Sequence, residues 1–366
     1  MWVDVKFICN ANMVRVVQRQ SFSFLFPSSV VNEGSRLCAT TYTRNISRVH
    51  PYTLYPEGRR VGTIRGVNGS IVDILFEPST KLSPMFNALT VNTPRGVLLL
   101  EVAKHIENHS VRAVAMGETD GITRGDPVTD TGRPIIVPVG ESTHGRVMNA
   151  VGVAMDGLGL IDTATTRPIH SKSPDISIQV KNDSVVSTGI KVIDLFAPCA
   201  RGGKNGLLGA VGVGKSTMIM ELIRNLTIDN DDTHCVFAGI GARMREASDL
   251  YHYLTSTGTI DINDTAKSKV SLVLGQMDEP AGLRHRSALT ALTVSEYFRD
   301  SGKDVMLLID NIYRFAQASI EVATMLGKVP FQVRCHPTLS SEIGDFQERI
   351  SSTKKGNITS IQAIFV

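Results

Sequence analysis

Residues Gly206–Asn225 read GLLGAVGVGKSTMIMELIRN. Inside that stretch Gly209, Gly212, Val213, Gly214, Lys215 and Ser216 fall in the pattern G-x-x-x-x-G-K-[ST]. The glycines let the backbone turn tightly, so that its N–H groups can face phosphate oxygens. Lys215 is expected to reach the β- and γ-phosphates and the Ser216 hydroxyl to bind Mg²⁺, with Thr217 next to it at the helix start. Apolar Ile219, Leu222, Ile223 and Leu226 follow at i, i+3, i+4 and i+7, which predicts an amphipathic helix after Lys215. Its positive N-terminal end would point at the same phosphates.

Working outward from this loop, short apolar runs alternate with helical patterns from about residue 138 onward. The runs are Gly206–Leu208, Cys235–Ile240, Val270–Leu274, Val305–Ile309 and Ile358–Val366. A helix near Ala288–Asp300 stops before Gly302. This order predicts βα units and a mostly parallel sheet. The run Val305–Ile309 ends in Asp310, the form of a strand whose carboxylate holds the Mg²⁺ shell. Arg314, four residues on, is a candidate for the γ-phosphate.

Residues 60–137 differ in texture. Val61–Val67, Ser70–Phe76, Gly96–Val102 and Val111–Met116 read as short strands, with Asn68-Gly69, Pro94, Gly121 and Gly132 between them. Strands this short and closely spaced predict a small β-barrel or sandwich. The first 60 residues carry eight basic and three acidic side chains, are rich in Ser and Thr, and contain Pro27 and Pro51. That composition, with MVRVVQRQSFSFLF from Met13 onward, predicts a mitochondrial or plastid transit peptide over residues 1–57, with a disordered leader as the alternative, and a start at Met1 or Met13.

Over all 366 residues the formal net charge is only +3, too balanced for a dedicated nucleic-acid binder. No apolar stretch approaches ~18 residues, so no membrane span is expected. The five cysteines are odd in number, far apart and never in C-x-x-C, which argues against a disulfide framework or a zinc knuckle. His105 and His109 have the i, i+4 spacing of a helical metal pair but lack a third ligand, and Cys199 and Cys235 read as buried core thiols.

Several longer stretches resemble one family. Asp194–Gly206 (DLFAPCARGGKNG), Phe237–His252 (FAGIGARMREASDLYH), Leu274–Arg286 (LGQMDEPAGLRHR), Ala291–Ala318 (ALTVSEYFRDSGKDVMLLIDNIYRFAQA) and Thr353–Asn357 join the phosphate loop in resembling the β subunit of F-type ATP synthase. The resemblance runs from about Val61 to Val366. It implies an N-terminal β-barrel at 58–137, then a RecA-like α/β domain at 138–366. It also implies a mitochondrial subunit on the matrix side of the inner membrane, alternating with α subunits around a γ shaft. Such a subunit interconverts ATP and ADP, with Mg²⁺, as protons cross the membrane through the complex. By the same resemblance Lys215 and Ser216 bind phosphates and Mg²⁺, Glu246 and Asp310 order the metal's waters, and Arg243 and Arg314 clamp the γ-phosphate.

The chain departs from that family at four places. Gly241-Ala242-Arg243-Met244-Arg245-Glu246 stands where the family has G-E-R-T-R-E, so Ala242 occupies the position of the glutamate that polarises the attacking water. A positioned general base is worth roughly 10²–10⁴ in rate. Cys335 stands where the family stacks a tyrosine on adenine, with His336 one residue off. Ala210 and Val211 replace Gly and Ala in the phosphate loop. The family pattern also continues past the strand ending at Val366, into the rest of the nucleotide domain and a helical domain. A nucleotide-binding paralogue with impaired catalysis is therefore the alternative expectation.

Overall fold

The computed structural model describes residues 59–78, 81–106, 109–162, 164–180, 184–210, 212–229, 233–262, 264–328 and 337–365. The expected leader at 1–57, Val211, Cys335 and His336 lie outside them.

Six antiparallel strands close a barrel: β1 (Arg59–Asn68), β2 (Ile71–Phe76), β3 (Asn87–Thr93), β4 (Gly96–Ile106), β5 (Ser110–Ala115) and β6 (Pro127–Pro134). Their order around it is β1-β2-β5-β4-β3-β6. Closure leaves no open edge, and it decides the barrel-or-sandwich alternative in favour of the barrel. Val72, Ile74, Leu89, Leu100 and Val111 fill the interior. Asn68-Gly69 joins β1 to β2, whose register pairs Asn68 with Ile71. β3 and β6 were not among the expected strands, because NALTVNT and PVTDTGRP hold more polar than apolar residues. Their place in the barrel is fixed by pairing with β4 and β1 rather than by their own pattern. His105 lies on β4 and His109 just before β5, so their spacing is not that of a helix face.

Two short pairs follow the barrel: β7 (Ile136–Pro138) with β9 (Thr166–Pro168), and β10 (Val185–Val186) with β11 (Cys199–Ala200). The main sheet holds β8 (Val147–Met148), β12 (Lys204–Gly209), β13 (Thr233–Ala242), β14 (Val270–Gln276), β15 (Asp304–Asp310) and β16 (Ile358–Phe365), in the order β12-β16-β15-β13-β14-β8. Every neighbouring pair is parallel. Such a sheet needs cover on both faces, and β13 supplies both. Cys235 and Phe237 point into one core, while Val236, Ala238 and Ile240 point into the other.

Helix α1 (Lys191–Phe196) precedes β12, and α2 (Lys215–Asp229) follows the phosphate loop. The four apolar residues expected on one face of α2 are all buried. They share their core with α3 (Met244–Ser256). The opposite face is covered by α4 (Ala281–Asp300), α5 (Ile312–Met325) and α6 (Leu339–Arg349), through Phe298, Phe315 and Phe346. Helix α4 is longer than the expected Ala288–Asp300 and is buried over most of its length, because it lies between the sheet and the barrel strand β5. Cys199 and Cys235 are buried free thiols. Among the described residues no helix is long and apolar enough to cross a membrane.

Candidate functional site

In an open parallel sheet ligands bind beyond the carboxyl ends of the strands. Here those ends bring Gly209 of β12, Ala242 of β13, Asp310 of β15 and Phe365 of β16 to one edge of the molecule. A cavity of about 440 Å³ opens there, within the size range of small-molecule sites. Helix α2 contributes Ser216, α3 contributes Glu246 with Arg243 at its N-cap, and α5 contributes Arg314. Ile219, Phe237, Ala247 and Leu250 make its apolar wall.

The loop before α2 turns through Gly214 at φ +89°, a conformation that only glycine adopts without strain. Lys215 begins the helix and is buried. Its ammonium donates to the carbonyl of Ala210 at 2.7 Å and to that of Gly209, and lies 4.1 Å from the centre of the Phe365 ring. Lys215 is thus folded back on its own loop, and it does not line the cavity. A phosphate oxygen bound by Lys215 would replace those neutral carbonyls with a charged acceptor, a stronger bond.

Ser216 Oγ donates to Asp310 Oδ2 at 3.5 Å. Burial raises the Asp310 carboxyl above its ordinary range, and the negative charge of Glu246 pushes it further the same way. Lys215, Ser216 and Arg314 oppose the rise without cancelling it. A buried carboxylate beside a second acid is short of positive charge, and a cation placed there relieves it. The donors are hydroxyl and carboxylate oxygens, the kind a hard divalent cation takes. Among the described residues no three His, Cys, Asp or Glu side chains cluster as a complete metal cage. Mg²⁺ needs none, since it keeps several waters and uses one or two carboxylates plus substrate phosphates.

Gly241, at φ +61°, shapes the wall opposite. A Cβ there would stand 2.8 Å from Cδ of Arg314, so the aliphatic stem of that arginine packs directly on the glycine. The same residue coincides with a break in register between β13 and β14. The bulge carries Ala242 and Arg243 to the cavity, where Ala242 presents only a methyl group. Next to Asp310, the Asn311 side chain is buried; its oxygen accepts from Tyr313 N at 2.8 Å while its amide nitrogen has no partner among the described residues.

The structure thus brings together Ser216, Ala242, Arg243, Glu246, Asp310 and Arg314 from the expected set. It places Gly209, Gly212, Val213, Gly214 and Lys215 along the adjoining loop and Thr217 in the first turn of α2. Cys335 lies outside the described residues. Sequence reasoning passed over Asn311 and Phe365. Asn311 adjoins the apolar-run-plus-Asp signal, and its position was the available clue. Phe365 reads as one more apolar strand residue, and only the parallel pairing of β16 with β12 brings it over Lys215.

Two family models match the chain. One describes the nucleotide-binding domain of the ATP synthase alpha/beta family and covers residues 189–366. The other describes the β-barrel domain of the same family and covers residues 64–132.

Proposed function

The chain belongs to the ATP synthase alpha/beta family, and from that premise we propose that it is a β-type subunit of an F-type ATP synthase, binding MgATP and MgADP in the cavity beside Lys215. The observation that carries this reading is the convergence of Ser216, Asp310, Glu246, Arg243 and Arg314 on one cavity that the phosphate loop adjoins. In this reading the backbone N–H groups of the loop and Lys215 hold the β- and γ-phosphates. Ser216 and Asp310 hold the metal side, with Glu246 ordering water. Arg243 and Arg314 take up the charge that develops on the γ-phosphate. Mg²⁺, when bound, neutralises charge on the bridged phosphate oxygens. We place the protein in the mitochondrion, on the matrix side of the inner membrane, in an alternating ring with α subunits around a γ shaft, contributing to ATP synthesis coupled to proton transport.

Ala242 favours a second reading, in which nucleotide is bound and turned over poorly. The cavity's carboxylates are Glu246, Asp249 and Asp310; Glu246 and Asp310 serve the metal in the first reading, and Asp249 faces Arg245 of its own helix at 3.7 Å. A missing general base raises the barrier by about 3–5 kcal/mol.

One experiment separates the readings. The purified chain, alone and mixed with α subunits, is assayed for MgADP binding and MgATP hydrolysis beside Lys215→Ala and Ala242→Glu. Lys215→Ala is expected to weaken MgADP binding by roughly 10–100-fold, the range for losing a hydrogen bond to a charged group. Hydrolysis by the unaltered chain that Lys215→Ala abolishes would sink the second reading. Binding with no turnover, gained on Ala242→Glu, would sustain it. Absence of any MgADP binding at millimolar concentration removes both.

A further inference from the structure

The barrel and the nucleotide cavity are joined by a chain of contacts that phosphate binding does not itself require. Glu101, on barrel strand β4, is fully buried. It accepts from Arg286 of α4, with the guanidinium Nε 3.1 and 3.2 Å from its two oxygens and Nη2 closing the pair. Nη1 of the same guanidinium turns the other way, to Nδ1 of His285. An arginine N–H can only donate, so Nδ1 is the acceptor in this contact. The other face of that ring matters as much. His285 stacks on Phe315 with ring centres 4.4 Å apart and planes 18° from parallel, and Phe315 in turn meets Phe346. Phe315 is a buried residue of α5, and the residue before it is Arg314, whose stem rests on Gly241. The rotation of α5 about its own axis, set at Phe315, therefore sets where the Arg314 guanidinium stands in the cavity.

We propose that His285 is a positioning residue through which the buried Glu101–Arg286 pair holds α5 in phase, and so holds Arg314 in place for the γ-phosphate. The inference rests on the reading of Arg314 as a γ-phosphate group. His285 performs two separable tasks: its Nδ1 accepts from Arg286, and its ring supports Phe315. His285→Phe keeps the stacking surface and loses the acceptor. His285→Ala loses both.

The test measures the Kd of MgADP and of MgATP on the full chain by calorimetry, and reads their ratio. Arg314→Ala comes first and is expected to erase the preference for MgATP. His285→Ala is then expected to cut that preference by about three- to tenfold, the scale of coupling between packed groups, with MgADP affinity unchanged. His285→Phe is expected to fall between it and the unaltered chain. In the Arg314→Ala background neither substitution should change the ratio further. A role in stability alone would lower both affinities together or neither. An unchanged ratio in either folded His285 variant paired with a strong Arg314→Ala effect would overturn the inference, as would additive effects in the double variants. An Arg314→Ala variant that keeps the full MgATP preference, or a chain that binds neither nucleotide, overturns the underlying reading instead, and the inference with it. Should His285→Ala fail to fold, Glu101→Gln tests the same link from the barrel side, with the same expected loss of preference.

Discussion

Two carboxyl groups of this chain are driven in opposite directions by their surroundings, and they give its stability a defined pH profile. Glu279 follows β14, and its side chain accepts from Gln276 N at 2.8 Å. Burial pushes it up to about 7, and the nearby Asp278 adds to the rise against that hydrogen bond and Arg284. A group whose folded-state value is raised binds its proton more tightly in the folded chain. Its contribution is present below about pH 4.5 and is lost as the pH rises through 7. The span is up to about 3 kcal/mol. Urea unfolding at pH 5 and pH 8 should therefore show a loss of stability toward pH 8, and Glu279→Gln should reduce it, leaving the smaller share that the raised Asp310 adds in the same direction. A chain equally stable at both values, or a slope that Glu279→Gln leaves unchanged, would assign this carboxyl an ordinary titration. Because Met277, two residues away, lines the cavity, nucleotide binding deserves measurement in the same series.

At the scale of elements, helix α5 shows how a start is fixed by one side chain. Asn311 sits at its N-cap in extended conformation and accepts from Tyr313 N. Its amide nitrogen is buried with no partner among the described residues, so the residue carries both a gain and a cost. Asn311→Ala removes both, and the net loss of stability is expected near the lower end of the ~0.5–2 kcal/mol range for cap removal. Thermal unfolding checks this; a loss well above that range would mean that the amide has a partner in solution. The same helix marks what could be read from sequence. Asp310 and Arg314 were legible because an apolar run ending in Asp, with an arginine one turn on, has a chemical meaning in short text. The helix after Lys215 was legible from its spacing of apolar residues, and all four lie in the core. By contrast β3 and β6 form only because barrel closure supplies partners, and their alternation is too polar to announce them. The parking of Lys215 over Phe365 was hidden for a related reason. It depends on the pairing of β16 with β12, which are separated by about 150 residues of chain, and a local pattern carries no record of such pairing.

At the scale of the whole molecule, the question is whether barrel and sheet fold as one unit. Three observations at their contact favour one. Gly282, in the first turn of α4, lies so close to β5 that a Cβ would stand 2.6 Å from Val114 Cγ1 and 3.0 Å from the Ala115 carbonyl. Residues of both regions, Val114 and Met116 with Leu283 and Ala288, share a single hydrophobic core. The third observation is the Glu101–Arg286 pair, which crosses the same contact. Burial alone would raise Glu101, but Arg286, with help from His170, outweighs it and brings the carboxyl down to about 2. A depressed carboxyl stabilises the folded chain above about pH 4.5, and that contribution is lost as the pH falls through 2. Calorimetry at pH 7 should accordingly give one transition for barrel and sheet, with van't Hoff and calorimetric enthalpies equal. Gly282→Ala forces the methyl against backbone as well as side chain, and should destabilise by about 1–3 kcal/mol, the usual range for overpacking. If the contact is what makes the two regions cooperative, Gly282→Ala combined with Glu101→Gln should split the transition, with one part lost before the other. Two transitions in the unaltered chain at pH 7 would show that each region is stable by itself. The contact would then serve to position α4 against the barrel and would contribute little to cooperativity.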